Sequence, residues 1–224
     1  KIINAPFWII HPLKSKNVTI DGVTIESHGP NNDGCDPEYS KNVIIKNSVF
    51  NTGDDCIAIK SGRNEDGRRV GIKSENIIVQ NCKMIDGHGG VVIGSEISAG
   101  VKNVYVENCI MDSPNLDRAI RIKTNTKRGG TVENVYVRNL VVGQVREAVL
   151  NQEGNYMPEV RNISLENVQV DYGGKYGILA EGHEELPISD ITFKDVTIKR
   201  VDSLYKLRNV KNINFINTYI NGKI

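Results

Sequence analysis

Three carboxylates, one histidine and a pair of cations are spaced in this chain so that a repeating fold would bring them together. Asp54 and Asp55 are adjacent, follow Gly53, and stand directly ahead of the apolar run Cys56-Ile57-Ala58-Ile59. A chain built for stability alone would place neutral groups there, because buried charge is costly unless it is paired. Asp33 lies 21 residues before Asp54, His88 lies 33 beyond Asp55, and Arg121 a further 33 beyond His88, with Lys123 two residues on. Clustered carboxylates cannot all ionise freely, so at least one must keep its proton near neutrality. One protonated acid and one ionised carboxylate are what cleavage of a glycosidic bond requires: the first protonates the leaving oxygen, the second activates water or attacks. An Arg and a Lys two apart on a strand point the same way and form a fork for an anionic sugar.

Each of these pieces is weak alone. A Gly-Asp-Asp turn is more often a solvated bend or a calcium ligand, and a lone histidine is usually a loop residue. The combination of Asp33, Asp54, Asp55, His88 and the Arg-x-Lys pair reverses that balance. Gly87 and Gly89 on either side of His88 let backbone and ligand approach closely, whereas His11, His28 and His183 have no such company and are assigned no role. Lys60 closes the strand after the acids and is a candidate to face the same cleft. Arg63, Arg68 and Arg69 could reach a polyanion, although a solvated loop explains them equally well. Phe7 and Trp8 fit packing at a coil end better than stacking on sugar.

The positioning element is a repeat. The segment Lys-Asn-Val-Thr-Ile-Asp-Gly-Val-Thr-Ile at 16–25 recurs at 41–50, 75–84, 102–111, 133–142, 161–170, 189–198 and 211–220. Its anchors are Asn17, Asn42, Asn76, Asn103, Asn134, Asn162, Asp190 and Asn212, and five residues after each comes Gly22, Asn47, Asn81, Asn108, Asn139, Asn167, Asp195 or Asn217. Between them lie short segments of alternating apolar and variable residues, as in half-buried strands. Asn suits the bends because it tolerates the left-handed conformation. A fixed motif at this period signals a solenoid, and no interval carries the amphipathic helix of an α/β solenoid. The expected fold is all-β: a right-handed parallel β-helix with coils about 4.8 Å apart. Residues beyond the roughly 22 to 25 of a regular coil must leave it as loops on one side. The longest excess is 61–74, with others near 85–100, 112–130 and 143–159.

Composition narrows the partners. The chain has 224 residues, enough for one core, and a formal charge of +1 that creates no field to draw in nucleic acid or an anionic membrane. An acidic ligand must therefore be held by local cations. No apolar run reaches the ~18 to 20 residues of a membrane span. Cys35, Cys56, Cys82 and Cys109 form neither a disulfide framework nor a Cys-x-x-Cys zinc pattern; Cys82 and Cys109 occupy a repeat position filled elsewhere by Ser48, Leu140, Val168 and Val196, and read as buried small hydrophobes.

Asn31-Asn32-Asp33-Gly34, Gly53-Asp54-Asp55-Cys56, Gly87-His88-Gly89 and Arg121-Ile122-Lys123 resemble, in order and spacing, the four signature motifs of the pectin-degrading glycoside hydrolases of family 28, the polygalacturonases. The segment from Pro6 to Pro12 resembles the stretch that precedes them in bacterial members. The first motif is usually Asn-Thr-Asp; here Asn32 stands in the middle and Asp33 is kept. The resemblance implies a β-helix that hydrolyses α-1,4-linked galacturonate with inversion and without a metal or other cofactor, acting on pectic polysaccharide or oligogalacturonide. By the same resemblance Asp54 is the general acid, Asp33 and Asp55 hold and deprotonate water, His88 supports the acid's protonation, and Arg121, Lys123 and Asn31 bind substrate. Residues 87–100 look most like exo-acting bacterial members. Residues 148–159 look shorter than in those relatives, which leaves the part of Tyr156 in a sugar subsite open.

Known members extend further at the N-terminus, so residues 1–224 are expected to be a single catalytic β-helix domain lacking early coils. A pectic substrate implies a secreted or periplasmic location. Acids on neighbouring coils should lie about 5 Å apart, which by the general ruler reads as retaining; the resemblance implies inversion, with water approaching from beside the acids. Two other functions fit parts of the pattern. A calcium-dependent, pectate-lyase-like β-eliminating enzyme would use the acids to hold the metal and an Arg or Lys as base. A β-helical carbohydrate-binding or adhesin module would bind pectic fragments without cutting them.

Overall fold

The computed structural model describes residues 1–145 and 156–223. The chain winds as a right-handed parallel β-helix of about 7 turns. Its repeats fall in one register, so that Lys16, Lys41, Glu75, Lys102, Glu133, Arg161, Ser189 and Lys211 are successive neighbours. Two residues on from each lies an inward column, Val18, Val43, Ile77, Val104, Val135, Ile163, Ile191 and Ile213. From Val43 to Ile191 this column is buried, and each such side chain contributes about 1.5 to 3 kcal/mol of burial. Cys109 continues in register through Leu140, Val168 and Val196 as a buried free thiol.

The asparagines form the corners. Both Asn-like positions of all eight repeats have φ between +48° and +67°, where an Asn side chain costs less than other residues. Their amides then bond from coil to coil: Asn42 donates to Asn17, Asn76 to Asn42, Asn103 to Asn76, Asn134 to Asn103 and Asn162 to Asn134, at 2.7 to 2.9 Å. The second ladder includes Asn47 to Asp21, Asn139 to Asn108 and Asn167 to Asn139.

A second sheet of strands Ile57–Ile59, Val91–Gly94 and Ile120–Lys123 closes the other side of the site coils. A third pairs Tyr176–Glu181 with Ser203–Arg208. The excess at 61–74, expected as an open loop, instead holds a helix, Asn64–Val70, with Glu65 and Asp66 in its first turn and Arg68 and Arg69 in its last. That charge order suits the helix dipole, but seven residues carry too little periodicity to show in sequence. Arg68 donates to the Arg128 carbonyl at 3.0 Å and lies over the Tyr156 ring, whose hydroxyl donates to Glu65. Arg69 pairs with Asp66. Both arginines and Tyr156 thus have partners within the protein, while Arg63 is exposed. The excess at 143–159 lies mostly outside the described residues. Among those described, no helix is long and apolar enough to cross a membrane.

Asn134 both donates to Asn103 and accepts from Asn162 at φ +61°. Asn134→Ala should lower stability by about 2 kcal/mol, from lost bonds and left-handed strain. Asn134→Gly should cost less, because the strain is relieved. Urea midpoints of the three proteins test the ordering.

Candidate active site

The acids sit on corners between the two sheets, not on strands. The strand Val49–Thr52 ends just before Gly53, and Ile57–Ile59 begins after Cys56. A Cβ at Gly53 would lie 2.5 Å from the backbone N and O of Gly29 on the coil below, so this tight approach needs glycine. Backbone bonds stack the corners: Gly34 N–H donates to Asp55 O at 3.0 Å, and Cys56 N–H to Gly89 O at 2.8 Å. His88 N–H donates to Asp54 O at 3.1 Å. Asp33, the Asp54–Asp55 pair and His88 therefore occupy three successive coils, as their spacing predicts. At Gly87, φ is +149° and a Cβ would meet Asp54 O at 2.5 Å, which fixes the glycine before the histidine.

Arg121 lies on the coil after that of His88, in the order the intervals predict, but further along it: the register sets Arg121 beside Val92 and Lys123 beside Gly94. The residue joined to the His88 corner is Asp117, whose N–H donates to Gly87 O at 3.0 Å. The intervals include loops of unequal length, so equal counts do not mean equal register. Arg121 and Lys123 still share one face, with Ile122 buried between them, and both act on Asp55 as nearby positive charges.

The three acids differ in environment. Asp54 is partly exposed, at 21% of its side chain, and its Oδ1 is engaged twice, by the Asp55 N–H at 2.9 Å and by His88 Nδ1 at 3.0 Å. Asp33 and Asp55 are each only 3% exposed. Burial, then the neighbouring charges of Asp54 and Asp33, push the Asp55 carboxyl up to about 6, against the opposing pull of Lys123 and Arg121. Its Oδ1 is buried without a hydrogen-bond partner among the described residues. The carboxyl raised by its surroundings is thus Asp55, whereas the one best placed to reach a leaving oxygen is Asp54. Burial lowers the pKa of Arg121, and Arg118 beside it adds to the effect.

Asn31 is exposed at φ +57°, and its carbonyl accepts from Trp8 N–H. Asn32 is the structural member of that motif: buried, it accepts from Ser27 Oγ at 2.9 Å and donates to Ala5 O at 3.0 Å. Trp8 stacks with Phe7 and covers the Lys60 ammonium at 4.3 Å.

Sequence reasoning missed two acids and underweighted one cation. Lys60 is buried and lies 3.1 Å from Asp33 Oδ2, 3.4 Å from Asp36 Oδ1 and 3.8 Å from Glu96 Oε2. Asp36 is wholly buried, and burial followed by the Asp33 charge drives its carboxyl up to about 10. Neither of its oxygens has a hydrogen-bond partner among the described residues. Burial alone would lower the Lys60 pKa, but Asp36 and Asp33 beside it together outweigh that and raise the pKa. The only sequence signal was the position of Lys60 one residue beyond the Ile57–Ile59 strand. Among the described residues, no three His, Cys, Asp or Glu side chains are arranged to hold a metal ion.

A parallel β-helix with stacked acidic corners beside a cationic strand is a protein with a carboxylate-lined lateral site. The chain belongs to glycosyl hydrolases family 28, whose family model matches residues 1–218. It is 35% identical over 158 residues to a probable polygalacturonase of Vitis vinifera, covering 69% of this chain and 32% of that one. An endo-polygalacturonase of Pectobacterium carotovorum subsp. carotovorum is 31% identical over 219 residues, covering 93% of this chain and 51% of its own. The crystal structure of a hyperthermoactive exopolygalacturonase from Thermotoga maritima superposes with a TM-score of 0.88 at 41% identity, over 95% of this chain and 50% of that one. The chain thus spans about a third to a half of the length of these relatives.

Asp55 gives a stability test. A carboxyl raised to about 6 keeps its proton in the folded state while the unfolded chain has already lost it. Stability must then fall as pH rises from about 4 to about 6, and stay lower above. Asp55→Asn should therefore stabilise the protein by about 2 to 3 kcal/mol at pH 7, with no gain near pH 3. Denaturant unfolding at both pH values measures the difference.

Proposed function

We propose that this chain hydrolyses α-1,4-galacturonosidic bonds of pectic polymers or oligogalacturonides, with inversion. Asp54 is the general acid: its Oδ1 is tied to the Asp55 N–H and His88, which leaves Oδ2 to carry the proton to the leaving oxygen. His88, exposed beside it, supports that protonation. Asp33 and Asp55 hold the attacking water and take its proton. Arg121 and Lys123, with Asn31 at the rim, bind the substrate and its carboxylate. The observation that carries the reading is the division of the acids, one partly exposed and two buried behind it, with the Asp55 Oδ1 acceptor lacking a hydrogen-bond partner among the described residues.

Family membership and the names of the relatives support a polygalacturonase reading, and the 41% identity to an exopolygalacturonase supports exo attack. A pectic substrate lies outside the cell, which supports a secreted or periplasmic location. Against the calcium-dependent eliminating alternative, Lys60 already gives Asp33 the positive charge that a calcium ion would bring.

With chelator present, the chain should release reducing ends from polygalacturonate without absorbance from unsaturated products. Asp54→Asn should lower kcat about a thousandfold. Products of the α-linked polymer should first appear as the β-anomer by proton NMR, and as monomer if attack is exo; unsaturated products that require calcium would overturn the reading. Arg121→Ala should raise KM by about tenfold or more through loss of a charge-assisted contact, with a smaller change in kcat.

A further inference from the structure

Lys60 has an environment that the steps above do not use. Its Nζ sits among Asp33, Asp36 and Glu96, roofed by the Trp8 indole. Burying such a cluster rarely stabilises a protein relative to apolar packing, so stability alone does not account for it. Counting on from the Ile57–Ile59 pairing, Lys60 shares its register position with Gly94 and Lys123 on the next two coils. The side-chain-free Gly94 separates two ammonium groups on one wall. Lys123 is half-buried, whereas Lys60 is buried and turned to Asp33.

We propose that Lys60, backed by Asp36 and Glu96, is a positioning residue that holds Asp33 through Oδ2, leaving Oδ1 as the atom that works on water. This rests on the assignment of Asp33 to the attacking water. Backbone bonds already hold the ends of the segment: Ile9 N–H donates to Asp33 O at 2.9 Å and Gly34 N–H to Asp55 O at 3.0 Å. What the backbone leaves undecided is the turn of the Asp33 carboxylate, and an ammonium 3.1 Å from one oxygen decides it. Asp36, on the same segment as Asp33, lies 3.4 Å from that ammonium through Oδ1, and neither of its oxygens is hydrogen-bonded among the described residues. The Lys60 ammonium faces Asp33, Asp36 and Glu96, with the His11–Glu38 pair below Lys60; on the other side Asp33 bears on Asp55, on which Asp54, Lys123 and Arg121 also act.

The test compares wild type with Lys60→Met, Lys60→Arg, Asp33→Asn and the doubly neutral Lys60→Met/Asp36→Asn on polygalacturonate, from about pH 3 to about pH 8. Lys60→Met should lower kcat about a hundredfold with KM within about threefold, and move the acidic limb of kcat/KM up by about one pH unit, because the base has lost its counter-charge. Lys60→Arg should recover most of the loss and return the limb. If Lys60→Met does not fold, the double variant removes cation and buried acid together and must show the same displaced limb. A folded variant with the limb in its wild-type place overturns the role of Lys60. When Asp33→Asn is inactive in that case, the hydrolase assignment stands and only the Lys60 inference falls. An Asp33→Asn variant with wild-type kcat overturns both.

Discussion

Parallel stacking at fixed register is the constraint from which everything else follows. Each described coil hydrogen-bonds to the next along its strands and at several corners, so a residue's height and azimuth are set by its offset from the repeat rather than by contacts of its own. The left-handed corners at the asparagines make that register repeatable, since they turn the chain at the same two points in every coil. The site is a by-product of this regularity. Corners that elsewhere hold structural side chains carry Asp33, Asp54, Asp55 and His88 on three consecutive coils, and the backbone bonds between those coils place them before any side chain interacts.

Within that frame, chemistry is divided by depth. Asp54 lies at the surface with His88, while Asp33 and Asp55 lie below, where burial and mutual repulsion make ionisation costly for Asp55. Arg121 and Lys123 come from a later coil and offset part of that cost. Lys60 adds a second layer: among the described residues its ammonium pairs with Asp33 and Asp36 but with neither Asp54 nor Asp55. The result is a graded field across a few ångströms, with each carboxyl in a different electrostatic setting although all are aspartates.

Much of this was legible in the sequence. The Asn spacing revealed the β-helix, and coil-length intervals brought Asp33, Asp54, Asp55 and His88 together. The outward fork of Arg121 and Lys123 followed from strand alternation, but its offset along the coil from His88 did not, because loops of different length lie within two equal intervals. Asp36, Glu96 and the burial of Lys60 were hidden for another reason. Their residue types suggest solvent, yet Asp36 and Lys60 are buried, Glu96 is half-buried, and the Trp8 ring lies over the ammonium. The helix Asn64–Val70 was too short to show a period. Asn32, which looked like a tolerated exchange in a catalytic motif, proved to be a corner tie.

The amide ladders also have a direction. An asparagine both donates and accepts, so it can be a link; an aspartate only accepts, so it can only be an end. Asp21 receives from Asn47 at the start of one ladder, where an end belongs. Asp190 and Asp195 receive from Asn212 and Asn217 but have no N–H to pass on to Asn162 and Asn167. Both ladders are therefore cut between the same two coils, 161–170 and 189–198. The solenoid has a seam there, crossed by backbone and core but by neither amide ladder. Strain or fraying that begins in the last two coils meets that seam before it can travel along the ladders toward the coils that carry the acids.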